Sequence, residues 1–191
     1  STPNGALPSG MQLFDGGQGT ATVQDGALYI NGKSGEWGSN AVLLNLDDVS
    51  RYGLEMECDI TRVSAGTAQP SSEVAGFIYA TKLSEEGKLD STAKFSKAAL
   101  YISKDSGDGI QQVSVADGDI TSEWTPSVGT GKCLRDGATV KLKLKFTKDN
   151  QLYMYINGNE VVHKNNPSSG EQSENSGIYT GYVGLYAVSY T

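Results

Sequence analysis

Residues 151–162, QLYMYINGNEVV, alternate between apolar and polar up to Asn157-Gly158 and resume the alternation beyond it. Leu152, Met154 and Ile156 fall on one face, and Gln151, Tyr153 and Tyr155 on the other. Asn-Gly tolerates positive φ at both turn positions, which predicts a tight type I′ hairpin matched to the twist of its strands. The preceding segment, 138–148 (ATVKLKLKFTK), sets Val140, Leu142, Leu144 and Phe146 against Lys141, Lys143 and Lys145. Neighbouring strands with one greasy and one wet face predict an antiparallel sheet that covers a core.

The same period-2 reading predicts strands over 11–14, 21–24, 27–31, 41–46, 53–62, 74–81, 98–103, 110–115, 151–157, 160–163 and 182–188. Turn pairs such as Asp25-Gly26, Asn31-Gly32, Asp108-Gly109, Asp117-Gly118 and Asp136-Gly137 punctuate them. No segment holds a 3.6 period over three turns. Residues 84–97 have room for one short helix, but Gly87, Ser91 and Thr92 favour a loop, and the polar stretch 164–176 reads as a surface loop. The fold class expected is all-β: a two-sheet antiparallel β-sandwich of jelly-roll, concanavalin A-like type, formed as one domain over 1–191.

Composition narrows the partners. The chain has 191 residues, 24 glycines, 10 tyrosines, 2 tryptophans and a formal net charge of −7. An acidic surface repels phosphate backbones, so nucleic acid and anionic membrane are not expected partners. The lysines at 141, 143 and 145 read as the solvated face of a strand. No apolar run approaches the ~18 residues that a membrane helix needs. The opening Ser-Thr-Pro-Asn-Gly has neither a charged start nor an apolar core, so no signal peptide is expected in it. Cys58 and Cys133 are compatible with one disulfide without requiring it. Cys58 shares a face with Leu54, Met56 and Ile60 and reads as a small buried hydrophobe. With His163 as the sole histidine, zinc is not expected.

The order of pieces then carries a resemblance. An opening "LFDGG…TVQDGALYINGKSGEWGSNAVLLN" is followed by "YGLEMECDITRV", "VAGFIYATK" and "AALYISKD", then by a Trp124 loop and "VKLKLKFTKDNQLYMYINGNEVV…GYVGLYA". This pattern resembles the concanavalin A-like lectin/glucanase superfamily, in its laminin-G-like and bacterial carbohydrate-module branches. Residues 27–66, with Trp37-Gly38 after a strand, are also similar to family 22 and family 4 carbohydrate-binding modules. The resemblance implies a jelly-roll sandwich, a polysaccharide or glycan partner, and a bacterial extracellular or cell-surface setting. It also implies tethering to other modules of a larger enzyme or adhesin.

Candidate chemistry is of three kinds. Glu55, Glu57 and Asp59 sit at i, i+2 and i+4, which puts three carboxylates on one strand face. A retaining glycosidase needs two carboxyls about 5–5.5 Å apart. Family 16 glycoside hydrolases of the same superfamily place acids on one strand, but Glu-x-Glu-x-Asp departs from their pattern. The apolar opposite face makes a solvated outer sheet the preferred expectation for these acids. His163 lacks any Gly-x-Ser-x-Gly partner and reads as a loop histidine. Asp15, Asp105 and Asp108 have the oxygens for a structural calcium, although turns need Asp and Gly in any case; no cofactor is required.

Aromatics supply the binding hypothesis, because sugar C–H faces stack on flat indole and phenol rings. Trp37, Tyr79, Tyr101, Trp124 and Tyr179 are the ligand-binding candidates. Tyr182 lies near the last strand, and Gln112 and Ser114 are expected beside Tyr101. The expectation is a non-catalytic carbohydrate-binding module. The alternatives are a retaining glycoside hydrolase using Glu55/Glu57/Asp59, and a structural or protein-binding laminin-G-like domain.

Overall fold

The computed structural model describes residues 2–14, 19–31, 41–61, 63, 73–88, 94–102, 110–116, 122–124, 139–164 and 180–188. Its elements are β1 (Met11–Phe14), β2 (Thr20–Gln24), β3 (Ala27–Asn31), β4 (Ala41–Ser50), β5 (Glu55–Thr61), β6 (Glu73–Lys82) and β7 (Lys94–Ile102). They continue with β8 (Ile110–Ala116), β9 (Ser122–Trp124), β10 (Thr139–Phe146), β11 (Leu152–Ile156), β12 (Asn159–Lys164) and β13 (Thr180–Val188). Among the described residues no helix is long and apolar enough to cross a membrane. In place of a helix after residue 84, Ser84 and Lys88 close a turn by a 2.9 Å backbone bond, and β7 starts at Lys94. The three-residue β9 was not expected, since so short a strand shows no alternation.

All pairings are antiparallel. A seven-stranded sheet runs β1-β4-β13-β6-β7-β8-β9, a four-stranded sheet runs β12-β11-β10-β5, and β2 and β3 form a separate hairpin. The all-β, two-layer jelly-roll class expected from the alternation is the architecture found. Its core lies between the two large sheets. Val140, Leu142, Leu144 and Phe146 of β10 and Leu152, Met154 and Ile156 of β11 meet Phe77, Tyr79 and Ala80 of β6. Leu54, Met56, Cys58 and Ile60 pack on this cluster from the β5 side. Cys58 carries a free thiol there, and burial pushes it up to about 11. Cys133 lies outside the described residues.

The Asn157-Gly158 turn has the geometry its sequence demands, with φ of 51° and 81°. The Asn157 side chain accepts a 2.9 Å bond from the Lys141 amide, tying the turn to β10. At the other end of the hairpin, Asn150 takes a φ of 63° and the Thr147 hydroxyl accepts a 2.9 Å bond from the Gln151 amide.

Strand β6 departs from simple alternation near its end. Between Tyr79 and Lys82 the register of β6 slips against β7, and between Tyr182 and Gly184 that of β13 slips against β6. Both shifts fit one extra residue in β6, a β-bulge, with Ala80 at a φ of 49°. The bulge lets Tyr79 and Ala80 both join the core. Tyr79, a ligand-binding candidate in the sequence, is corrected to a core residue: it lies two positions from Phe77 on the same face of β6, ahead of the bulge. It is 0 % exposed, and its ring meets Phe146 edge-on at 4.9 Å.

The seven-stranded sheet also has a face turned away from this core. Leu44, Gly184 and Ile78 share a row of opposite parity to the core-facing Leu185 and Phe77. Leu44 and Ile78 are wholly buried. The β2–β3 hairpin, with Ala21 and Val23 buried, lies against β4 and β13.

Candidate functional site

Two regions bear on function: the outer face of the four-stranded sheet, and the β7–β8–β9 half of the seven-stranded sheet.

On the outer face, antiparallel register sets Lys141 opposite Asp59, Lys143 opposite Glu57 and Lys145 opposite Glu55. Long side chains also reach diagonal neighbours. Lys141 Nζ lies 3.1 Å from Glu57 and 3.5 Å from Asp59, and Lys143 Nζ lies 2.6 Å from Glu55. Hydrogen bonding from Lys143 holds the Glu55 carboxyl below its usual range, and the Glu57 and Glu55 carboxylates raise Lys141 and Lys143. A glycosidase acid needs the opposite, a proton retained by a raised pKa. The three carboxylates are thus a lysine-neutralised, solvent-facing ladder, as the apolar reverse side of β5 suggests. Glu55, held ionised by Lys143, does not suit the acid/base role of the catalytic alternative.

The Glu55 pairing has a measurable sign. Because its folded-state pKa is depressed, ionised Glu55 favours folding above its unfolded pKa, and this contribution fades as pH falls through the folded value. In an NMR titration, Lys143→Ala is expected to move the Glu55 midpoint upward; an unmoved midpoint refutes the pairing.

Beside the ladder stands a group of aromatics that the sequence reading did not select. Tyr153 and His163 stack at 4.2 Å between ring centroids, and Tyr153 and Tyr155 stack at 6.3 Å with planes 16° apart. The Tyr153 hydroxyl donates a 2.6 Å bond to the Gln151 side chain, whose oxygen also lies 3.4 Å from His163 Nε2. Two tyrosines at i, i+2 opposite a fully apolar face were the available signal. Between Tyr155 and the lysines lies an open recess of about 320 Å³.

On the seven-stranded sheet, backbone register pairs Tyr101 with Gln112 and Ser114 with Trp124. One row thus runs Val74–Tyr101–Gln112, and a second runs Gly76–Ala99–Ser114–Trp124. The intervening row, Ala75–Leu100–Val113, has the parity of the core residue Phe77. Trp37 and Tyr179 lie outside the described residues, as do Asp15, Asp105 and Asp108, whose oxygens were the candidates for a calcium. Among the described residues, no group of three His, Cys, Asp or Glu is arranged to hold a metal ion.

No protein-family model matches the sequence, and no curated protein matches it. Solved structures with a similar strand layout include porphyranase B from Zobellia galactanivorans, at 9 % identity and a TM-score of 0.44 over 90 % of this chain and 61 % of that one. A laminarinase from Flavobacterium sp. UMI-01 matches at 11 % and 0.44, over 95 % of this chain and 68 % of its own. A non-specific endo-β-1,3(4)-glucanase from family GH16 matches at 10 % and 0.49, over 97 % and 84 %. All three are enzymes. The expectation of a chain without catalytic activity is therefore withdrawn.

Proposed function

We propose that this chain engages a polysaccharide along the β7–β8–β9 half of its seven-stranded sheet, with Tyr101, Gln112 and Trp124 as contacts. The observation that supports this most is the register: two rows of one parity bring a tyrosine, an amide, a hydroxyl and a tryptophan onto three adjacent strands. Neighbouring strands are about 4.8 Å apart, so the group spans roughly 10 Å. Stacking on Tyr101 and Trp124 would supply buried area at small entropic cost, and the Gln112 amide and Ser114 hydroxyl would fix saccharide hydroxyls. The setting we propose is extracellular or at the cell surface. Tethering to further modules would raise the effective concentration of such an open site.

Native gels cast with soluble polysaccharides test this. The intact chain is expected to be retarded, and Tyr101→Ala or Trp124→Ala each to weaken retention about tenfold, equivalent to about 1.4 kcal/mol. A double variant that runs like the parent in a retarding gel refutes the site. Reducing-end release in the same incubations reports whether binding leads to cleavage.

A further inference from the structure

We infer that the outer face of the four-stranded sheet carries a separate binding site for a neutral saccharide, in the recess beside Tyr155. This goes beyond the proposed β7–β9 site and does not depend on it. The recess is lined by Glu57, Lys141, Lys143, Lys145, Tyr155 and Gly158. Its volume of about 320 Å³ falls at the lower end of small-ligand sites, which run from about 300 to 1,000 Å³.

The lining has the components a sugar ring requires. Tyr155 offers a partly exposed aromatic plate for C–H groups, Glu57 accepts hydrogen bonds, and the ammonium groups donate them. These groups are held in place before any ligand arrives. Lys141 and Lys143 are fixed by Glu57 and Glu55, while Tyr155 leans on Tyr153, which is braced by His163 and Gln151. Preorganisation of this kind lowers the ordering cost of binding. Gly158 leaves the turn end open, since a Cβ built there meets no atom within 4 Å.

Charge selects the ligand class. The three lysines of this face stand against Glu55, Glu57 and Asp59 in the β5–β10 register, and Lys141 and Lys143 are paired with them, so the face carries no net charge to hold a polyanion. A neutral, hydroxyl-rich ring is the occupant that fits.

The test is an ¹⁵N-HSQC titration with neutral gluco-, manno- and xylo-oligosaccharides, and with oligogalacturonate as the anionic comparison. Saturable shifts at the Lys143, Tyr155 and Gly158 amides are expected with at least one neutral probe. They should persist in the Tyr101→Ala/Trp124→Ala double variant, which separates this site from the other. Tyr155→Ala should weaken binding at these amides at least tenfold, and Tyr155→Phe, which keeps the plate, less than threefold. The spectrum itself reports that each variant is folded. The inference is overturned by no saturable shift with any neutral probe, by unchanged affinity in Tyr155→Ala, or by a response to oligogalacturonate alone.

Discussion

Truncating Phe146 to alanine is expected to lower the free energy of unfolding by about 3–5 kcal/mol, the range for deleting a buried aromatic ring. Phe146 closes the outer end of β10's apolar face and is 1 % exposed. Its ring meets that of Tyr79 from the opposite sheet in an edge-type contact and lies 5.5 Å from the guanidinium carbon of Arg51. Arg51 is itself buried. Alanine would open a cavity between the sheets and remove the π-face beneath a desolvated cation. For a chain of this length, each kcal/mol shifts the melting midpoint by about 2–4 °C, so the loss should reach about 6–20 °C. Chemical denaturation of the two proteins checks it. A difference below about 1 kcal/mol would mean that the sheets do not meet at this ring.

Gly181→Ala should cost about 3 kcal/mol for a different reason. A Cβ at this position would lie 2.6 Å from the Ala80 carbonyl carbon and the Thr81 amide nitrogen, and 2.7 Å from the Thr81 oxygen. All three are backbone atoms of the β6 bulge, so no side-chain rotation relieves the clash. The positive φ of Ala80 and the missing side chain of Gly181 are two halves of one arrangement: the bulge presses β6 into space that only glycine leaves on β13. The expected cost sits at the upper end of overpacking penalties, about 1–3 kcal/mol. The same substitution at Gly158, where a Cβ has open space, tests backbone strain alone and should cost about 1 kcal/mol. Equal midpoints for the two variants would contradict the packing at the bulge.

The elements most legible in the sequence were those with strict alternation and a defined turn. In β10 and β11, Val140 through Ile156 present every second side chain to the core, and Asn157-Gly158 turns with both φ values positive. The acid ladder of β5 was legible too, because Leu54, Met56, Cys58 and Ile60 assign the opposite face to the interior. Tyr79 was not, because "VAGFIYAT" is apolar at consecutive positions and marks no core face, and Ala80 joins the core only through the one-residue bulge that follows Tyr79. Alternation has no term for such an insertion. The Tyr153–His163 stack was hidden for another reason: it joins two strands across a hairpin, and its third support, Gln151, comes from the preceding turn. The diagonal lysine pairings also needed three dimensions, since register alone sets Lys143 against Glu57 rather than Glu55.

Amide shifts of ¹⁵N-labelled protein, followed while a retarding polysaccharide's soluble oligomers are added, test the proposed role most directly. Saturable shifts should cluster at Tyr101, Gln112, Ser114 and Trp124 on β7, β8 and β9, and should collapse in Tyr101→Ala/Trp124→Ala. An undisturbed β7–β9 segment at saturating oligomer would contradict the role assigned to this sheet.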